Sequence, residues 1–244
     1  MKNLRYRGSM EKFIYTKENP LRVCTLCSGY DSQCYALDRI GIPYELVAWS
    51  EIDKYAIQAH NAVYPQWADR NVGDMTVVDW SKVPDFDFLT YSTPCQSVSN
   101  AGLQHGITEG SGTRSSIIWS TRNAIIEKKP KYLMMENVKA LVSHKFIGEF
   151  RKWCLELESY GYTNYCKVLN SKDYGIPQNR ERIFVISILG EHPIFHFPEP
   201  IPLEKRLKDV LEPEVDDKYV LSDQAIEGFM KHNENHEAKG TGFL

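Results

Sequence analysis

A chain of 244 residues with 42% hydrophobic content is long enough for one substantial core and one to two domains. With 25% charged residues and a net charge of −3 there is no global basic character, so any contact with a polyanion has to come from a local patch or a further part. No apolar run approaches the roughly 20 residues that span a bilayer, and the six cysteines, at 24, 27, 34, 95, 154 and 166, follow no disulfide-framework spacing, which reads as reduced thiols in a cytoplasmic protein.

Residues 1–20 form a basic arm, with Lys2, Arg5, Arg7, Lys12 and Lys17 against Glu11 and Glu18 and no apolar signal stretch. From Leu21 a βα unit is predicted: a strand through Cys27, a turn Ser28-Gly29-Tyr30-Asp31-Ser32, and a helix from Gln33 to Ile40 stopped by Gly41. Cys24-Thr25-Leu26-Cys27 satisfies C-x-x-C, but no second pair or histidine set follows, so these are read as strand cysteines and no metal is expected. A glycine-bearing turn between strand and helix admits a ligand close to the backbone, beside a helix N-terminus.

A second strand, Tyr44 to Trp49, runs into Ser50-Glu51-Ile52-Asp53 and a helix through about Tyr64. An acid at the end of the second strand is where nucleoside-binding α/β folds accept ribose hydroxyls; the competing reading makes Glu51 a cap for the next helix. A third short segment ends in Gly73-Asp74-Met75-Thr76, where Asp74 either accepts from an exocyclic amine or performs ordinary turn chemistry.

The fourth strand, Phe86 to Tyr91, hands Ser92-Thr93-Pro94-Cys95-Gln96 to a loop. Pro94 fixes its own φ and drives Thr93 towards extended geometry, so the cysteine leaves the strand end at a defined angle. In an open α/β sheet that is the ligand-binding edge, and the arrangement suits a positioned nucleophile; the alternative is a small buried hydrophobe.

Gln104 to Gly112 is polar and glycine-containing, suited to a flap, and the next helix is expected from Ser111 to Lys129. A fifth strand, Lys131 to Met135, ends in Glu136-Asn137-Val138. Phe146, Phe150, Trp153, Cys154 and Leu157 recur at helical spacing in a helix from Phe146 to Tyr160, which places them in the core. After a strand from Tyr162 to Leu169 and a turn at Tyr174-Gly175-Ile176-Pro177, the segment Gln178-Asn179-Arg180-Glu181-Arg182 leads into the last strand, Ile183 to Leu189. On an extended backbone the side chains of Gln178, Arg180 and Arg182 share a face, apt for phosphate or carbonyl recognition or for a solvated edge. Pro193, Pro198, Pro200 and Pro202 mark a connector, followed by helices predicted at 203–211 and, with Ser222 as N-cap and Gly240 as stop, at 222–239.

Thr93-Pro94-Cys95-Gln96, then Glu136-Asn137-Val138, then Gln178-Asn179-Arg180-Glu181-Arg182 resemble, in order and spacing, the Pro-Cys-Gln, Glu-Asn-Val and Gln-x-Arg-x-Arg motifs of DNA cytosine-C5 methyltransferases. The likeness covers about residues 21–244. It implies an α/β, Rossmann-like S-adenosylmethionine-dependent methyltransferase fold, a mostly parallel twisted sheet with helices on both faces, and an intracellular role in DNA methylation or restriction-modification. It divides the chain into the arm, a catalytic domain at 21–190, and at 191–244 a connector and the start of a target-recognition region that family members continue. Double-stranded DNA is then the partner, with a complementing C-terminal fragment or subunit in addition, and no membrane. Two departures stand out: the first motif holds one glycine, Gly29, where the family usually has several, and the chain stops where the family continues.

The resemblance implies that Cys95 attacks cytosine C6 as a thiolate, pushing electron density to C5. Glu136, held protonated, bonds N3 and the 4-amino group; Arg182 binds O2, with Arg180 or Gln178 supporting it or the adjoining loop. Ser28, Gly29, Tyr30, Glu51, Ile52, Asp74, Met75 and Pro94 hold the S-adenosylmethionine. A stacked base has to be flipped out first, with the loop around 97–112 as clamp. Methylation of RNA cytosine and a catalytically idle DNA-binding subunit stay open as alternatives; a dinucleotide enzyme is disfavoured because no G-x-G-x-x-G follows the first strand.

Overall fold

The computed structural model describes residues 15–94, 107–112 and 114–238. Cys95, Gln96, the first part of the predicted flap, most of the basic arm and the Gly240 stop lie outside the described residues.

Among the described residues six strands form one sheet: β1 (Leu21–Leu26), β2 (Tyr44–Ser50), β3 (Phe88–Tyr91), β4 (Tyr132–Val138), β5 (Tyr162–Asn170) and β6 (Glu181–Leu189). Their spatial order is β2-β1-β3-β4-β6-β5. The pairs from β2 to β4 are parallel, and β6 runs antiparallel to both neighbours. The α-helices among the described residues are α1 (Ser32–Ile40), α2 (Lys54–Val63), α3 (Thr121–Lys128), α4 (Ile147–Ser159) and α5 (Asp223–Ala238).

The sheet separates two hydrophobic cores, because alternate side chains of a strand point to opposite faces. Leu21 and Val23 of β1 pack with Leu46 and Trp49 of β2, Cys34 and Leu37 of α1, and Tyr64 beyond α2. Cys24 and Leu26 face the other way, into a larger core with Leu133 and Met135 of β4 and with Phe150, Trp153 and Leu157 of α4. A register shift between Val23 and Cys24 leaves Val47 as the extra residue in β2, so that Leu46 and Trp49 serve one core while Ala48 serves the other. Trp153 centres the larger core: it meets Trp119 edge to face and donates from Nε1 to the Tyr91 hydroxyl at 3.1 Å.

Some elements depart from the sequence reading. The third short segment makes only an isolated parallel bridge, Asn71 to Trp49. The helix expected from Ser111 is a 3-10 stretch, Arg114–Ser120, before α3 begins at Thr121. Ser and β-branched residues favour such tighter or non-helical bonding over an α-helical start. At 203–211 there is only one 3-10 turn, Leu207–Asp209. Leu207, Val210 and Leu211 are exposed there, and so short a segment does not hold an α-helix without a packed face. β4 continues through Glu136, Asn137 and Val138 rather than stopping at Met135. The Ser222 cap is present, its Oγ accepting from Ala225 N at 3.3 Å.

Candidate active site

The sequence-predicted residues that the structure describes gather along one edge of the sheet, at the carboxyl ends of β1 to β4 and the entry to β6. At the β1 end the chain turns sharply. Cys27, Gly29 and Asp31 all adopt positive φ, at 52°, 58° and 65°. Gly29 meets the requirement without cost, and a Cβ built there has nothing within 4 Å, so the backbone is open to a ligand. Ser28 N donates to Ser50 O at 3.2 Å, which ties the turn to β2, while the buried Ser28 Oγ has no partner. Tyr30 is exposed at the rim.

Glu51 follows β2 and joins the neighbouring segments. Its Oε2 accepts from Gly29 N at 3.0 Å, and its Oε1 accepts from Ile52 N at 2.8 Å and Asp53 N at 3.0 Å. Asn71 fixes its backbone from the other side, accepting from Glu51 N and donating to Glu51 O at 3.2 and 3.1 Å. The cap of α2 is Asp53, whose Oδ1 accepts from Tyr55 N and Ala56 N, so the competing role considered for Glu51 belongs to its neighbour. A carboxylate offers about four acceptor positions, so one remains beyond the three filled. Beside it, Ile52 is 71% exposed, an apolar surface next to an acceptor.

Asp74 is exposed, and its Oδ1 accepts from Thr76 N and Thr76 Oγ1 at 2.9 and 2.8 Å; these bonds hold its carboxyl below the usual range. Met75 points inward, 2% exposed, with Cys27 Sγ 3.8 Å from its sulfur. Burial, with Glu51 and Asp74 nearby, pushes the Cys27 thiol up to about 12, so it stays protonated at neutral pH.

The other half of the edge is built by β3, β4 and β6. Thr93 is buried and its carbonyl accepts from Asn137 Nδ2 at 3.2 Å, while Asn137 Oδ1 accepts from Val138 N at 2.9 Å. Asn137 therefore clamps the end of β3, two residues before Cys95, to the strand that carries Glu136. Pro94 lies partly buried just beyond. Glu136 pairs across the ladder with Phe184, and Arg182 with Val138, so the two charged side chains are diagonal neighbours on one face. Arg182 Nε stands 3.0 Å from Glu136 Oε1, with the side chains 22% and 25% exposed. Arg182 Nη1 also donates to Glu181 O at 2.8 Å.

Gln178 and Arg180 do not extend this face. The strand begins only at Glu181, and both residues are exposed in the preceding turn, where Gln178 N donates to Ile176 O and Arg180 N to Asn170 Oδ1. Three residues of the edge carried weak sequence signals: Asn71, Asp53 and the clamp Asn137. Of the three, Asn137 alone directly follows a strand-end acid. Among the described residues no group of three or more His, Cys, Asp and Glu side chains is placed to hold a metal ion.

The sequence profile of the C-5 cytosine-specific DNA methylase family matches residues 21–244. The chain belongs to this family. Among similar methylases, the type II methyltransferase M2.ScrFI of Lactococcus lactis subsp. cremoris is 38% identical over a region covering 84% of this chain and 71% of the relative. The type II methyltransferase M.NlaX of Neisseria lactamica is 37% identical, covering 80% and 60%, and the orphan methyltransferase M.Rho11sI of Bacillus phage rho11s is 32% identical, covering 92% and 50%. This methylase chain thus spans between half and about seven tenths of the lengths of these relatives. The S. pombe Dnmt2 methyltransferase structure superposes with a TM-score of 0.67 at 22% identity, covering 87% of this chain and 66% of that one, which establishes the shared methyltransferase fold.

Proposed function

We propose that this chain is the catalytic part of a DNA cytosine-5 methyltransferase that uses S-adenosylmethionine. The observation that carries the reading is the meeting of Glu136 on β4 and Arg182 on β6, 3.0 Å apart, with Asn137 clamping β4 to the approach to Cys95. A carboxyl group and a guanidinium side by side match the two polar edges of one pyrimidine.

The turn fits the methyl donor. An open backbone at Gly29, the unpartnered Ser28 hydroxyl, the remaining acceptor position of Glu51 and the exposed face of Ile52 supply what a nucleoside needs: close approach, hydroxyl recognition and an apolar surface for the base. Tyr30, Asp74 and the backbone at Met75 and Pro94 complete the donor set. When bound, the donor supplies a methyl group on a sulfonium centre. Asp74 accepts from an exocyclic amine.

Cytosine C5 is a weak nucleophile until C6 is attacked. Cys95 forms that bond as a thiolate; once C5 has taken the methyl group, the C5 proton leaves to a base and the C6–S bond breaks, returning the thiolate and 5-methylcytosine. Glu136, protonated, donates to N3 and accepts from the 4-amino group, and Arg182 binds O2, countering charge that develops in the ring. Both have to exchange part of their mutual contact for the base. Arg180 and Gln178, exposed at the entry to β6, contact the phosphate backbone or adjoining loop. Duplex DNA is the partner, and a C-terminal fragment or subunit completes the enzyme. Leu207, Val210 and Leu211, together with Ile226, Phe229 and Met230 on α5, offer it apolar surface.

The test is transfer of labelled methyl from S-adenosylmethionine to duplex DNA, with and without the C-terminal portion of a relative, followed by nucleoside analysis. The reading requires 5-methylcytosine in DNA. Label confined to RNA, or none under either condition, contradicts it.

A further inference from the structure

Asp31 and His60 lie beneath the donor turn and have no part in the chemistry above. Asp31 occupies a left-handed backbone position, φ 65°, which is unusual for a residue with a side chain. Its carboxylate is fully buried. Oδ2 accepts from Thr25 Oγ1 at 3.0 Å and lies 3.2 Å from His60 Nε2, within ion-pair range but off the line of a good hydrogen bond; Oδ1 has no partner. Burial pushes the Asp31 carboxyl up, opposed by His60 and Thr25. The His60 ring, itself fully buried, stacks on Trp49 with centroids 3.7 Å apart and tilts against Tyr64 at 5.6 Å. Its Nδ1 is 3.3 Å from Asn61 Oδ1.

These contacts connect the two segments that form the donor edge. Asp31 is the N-cap position of α1 and follows Gly29 by two residues, while His60 sits on α2, which begins just after Glu51. Without a side chain at 31, the turn would be held by two backbone bonds, Asp31 N to Ser28 O at 2.9 Å and Ser28 N to Ser50 O at 3.2 Å, and by Gly29 N donating to the Glu51 carboxylate at 3.0 Å. A buried polar pair has one low-energy arrangement, because any displacement strands a polar group away from water. We infer that Asp31 and His60 are positioning residues for the methyl donor, a buried acid and imidazole that lock the Ser28-Gly29-Tyr30 turn against the Glu51 segment. The inference rests on the reading of Gly29 and Glu51 as the donor site.

The test is calorimetric titration of the full chain with S-adenosylmethionine, with thermal unfolding recorded for every variant. Asp31→Gly keeps the backbone freedom but removes the carboxylate. His60→Phe keeps the stacked ring but removes the polar contact. Each should weaken donor binding by about tenfold or more, since Asp31→Gly removes the acceptor of the Thr25 hydroxyl and His60→Phe the polar atom 3.2 Å from it. The double variant should be no weaker than Asp31→Gly alone. Asp31→Asn, which can still accept from Thr25 and keep a polar atom beside His60 Nε2, should bind within about threefold of the unsubstituted chain.

Binding within about twofold in both Asp31→Gly and His60→Phe, with only thermal stability lowered, overturns the inference, as does an Asp31→Asn chain as weak as Asp31→Gly. If Asp31→Gly does not fold, His60→Phe decides alone. Glu51→Ala separates this from failure of the underlying reading. Loss of binding in Glu51→Ala alone leaves the donor site standing and removes the positioning role. Unchanged binding in Glu51→Ala, or none by the unsubstituted chain, removes both.

Discussion

Asn137→Ala removes the clamp between β4 and the end of β3. Asn137 is 4% exposed, and its amide donates to the buried Thr93 carbonyl. Truncation leaves that carbonyl without its side-chain partner and frees Val138 N as well. An unsatisfied buried acceptor costs about 1–3 kcal/mol, and at this chain length each kcal/mol lowers Tm by roughly 2–4 °C, so Tm should fall by roughly 2–12 °C. The functional loss should be larger than the stability loss implies. Thr93 precedes Cys95 by two residues, and misplacing a nucleophile by about 1 Å costs on the order of 10²-fold in rate. Single-turnover methyl transfer well below Tm separates the two effects, with donor affinity as a control because Asn137 touches neither Gly29 nor Glu51. Asn137→Asp, which sets an acceptor against an acceptor, should be at least as slow. A single-turnover rate within about twofold of the unsubstituted chain in Asn137→Ala would refute the clamp.

Arg182→Ala should abolish turnover on DNA with donor affinity unchanged, because it removes the neighbour of Glu136 and leaves the turn at Gly29 intact; parallel calorimetry and transfer assays check this. Trp153→Ala empties the centre of the larger core and should cost about 3–5 kcal/mol, read by denaturant unfolding. For Glu156, burial raises the carboxyl pKa, but hydrogen bonds from Arg122 and Tyr160 and the Arg122 charge outweigh it, leaving it below the ordinary 4.5. A depressed carboxyl contributes stability in full above its unfolded value and loses it as pH falls through the lower folded one, so the Tm deficit of Glu156→Gln should be largest near neutrality and shrink below pH 4.5. A deficit that is constant with pH would contradict that linkage.

The sequence was most informative where side-chain period and burial agree. β1, β2, β5 and β6 lie close to their expected bounds, and Phe150, Trp153 and Leu157 are buried on α4 as their spacing required. The Glu136-Asn137-Val138 segment shows why the end of β4 was misread. Polar residues inside a strand look like its end, yet Asn137 is buried in the ladder because Thr93 satisfies its amide across the sheet. Long-range satisfaction of this kind leaves no local trace. Asp31 is a second case: the turn holds one glycine where the family usually has several, and the left-handed position filled by an aspartate depends on Thr25 and on His60 of another helix. The helix predicted at 203–211 has no buried face, with Leu207, Val210 and Leu211 exposed, and that segment keeps one 3-10 turn.

The central claim is that one sulfur, Cys95, attacks a flipped cytosine held by Glu136 and Arg182. Duplex DNA carrying 5-fluorocytosine at the target position, incubated with S-adenosylmethionine and the assembled enzyme, tests it most directly, with the adduct mapped by peptide mass spectrometry. The account predicts a denaturation-resistant adduct on the peptide containing Cys95, absent in Cys95→Ser and retained in Cys27→Ala. An adduct on another residue, or one that survives Cys95→Ser, contradicts it.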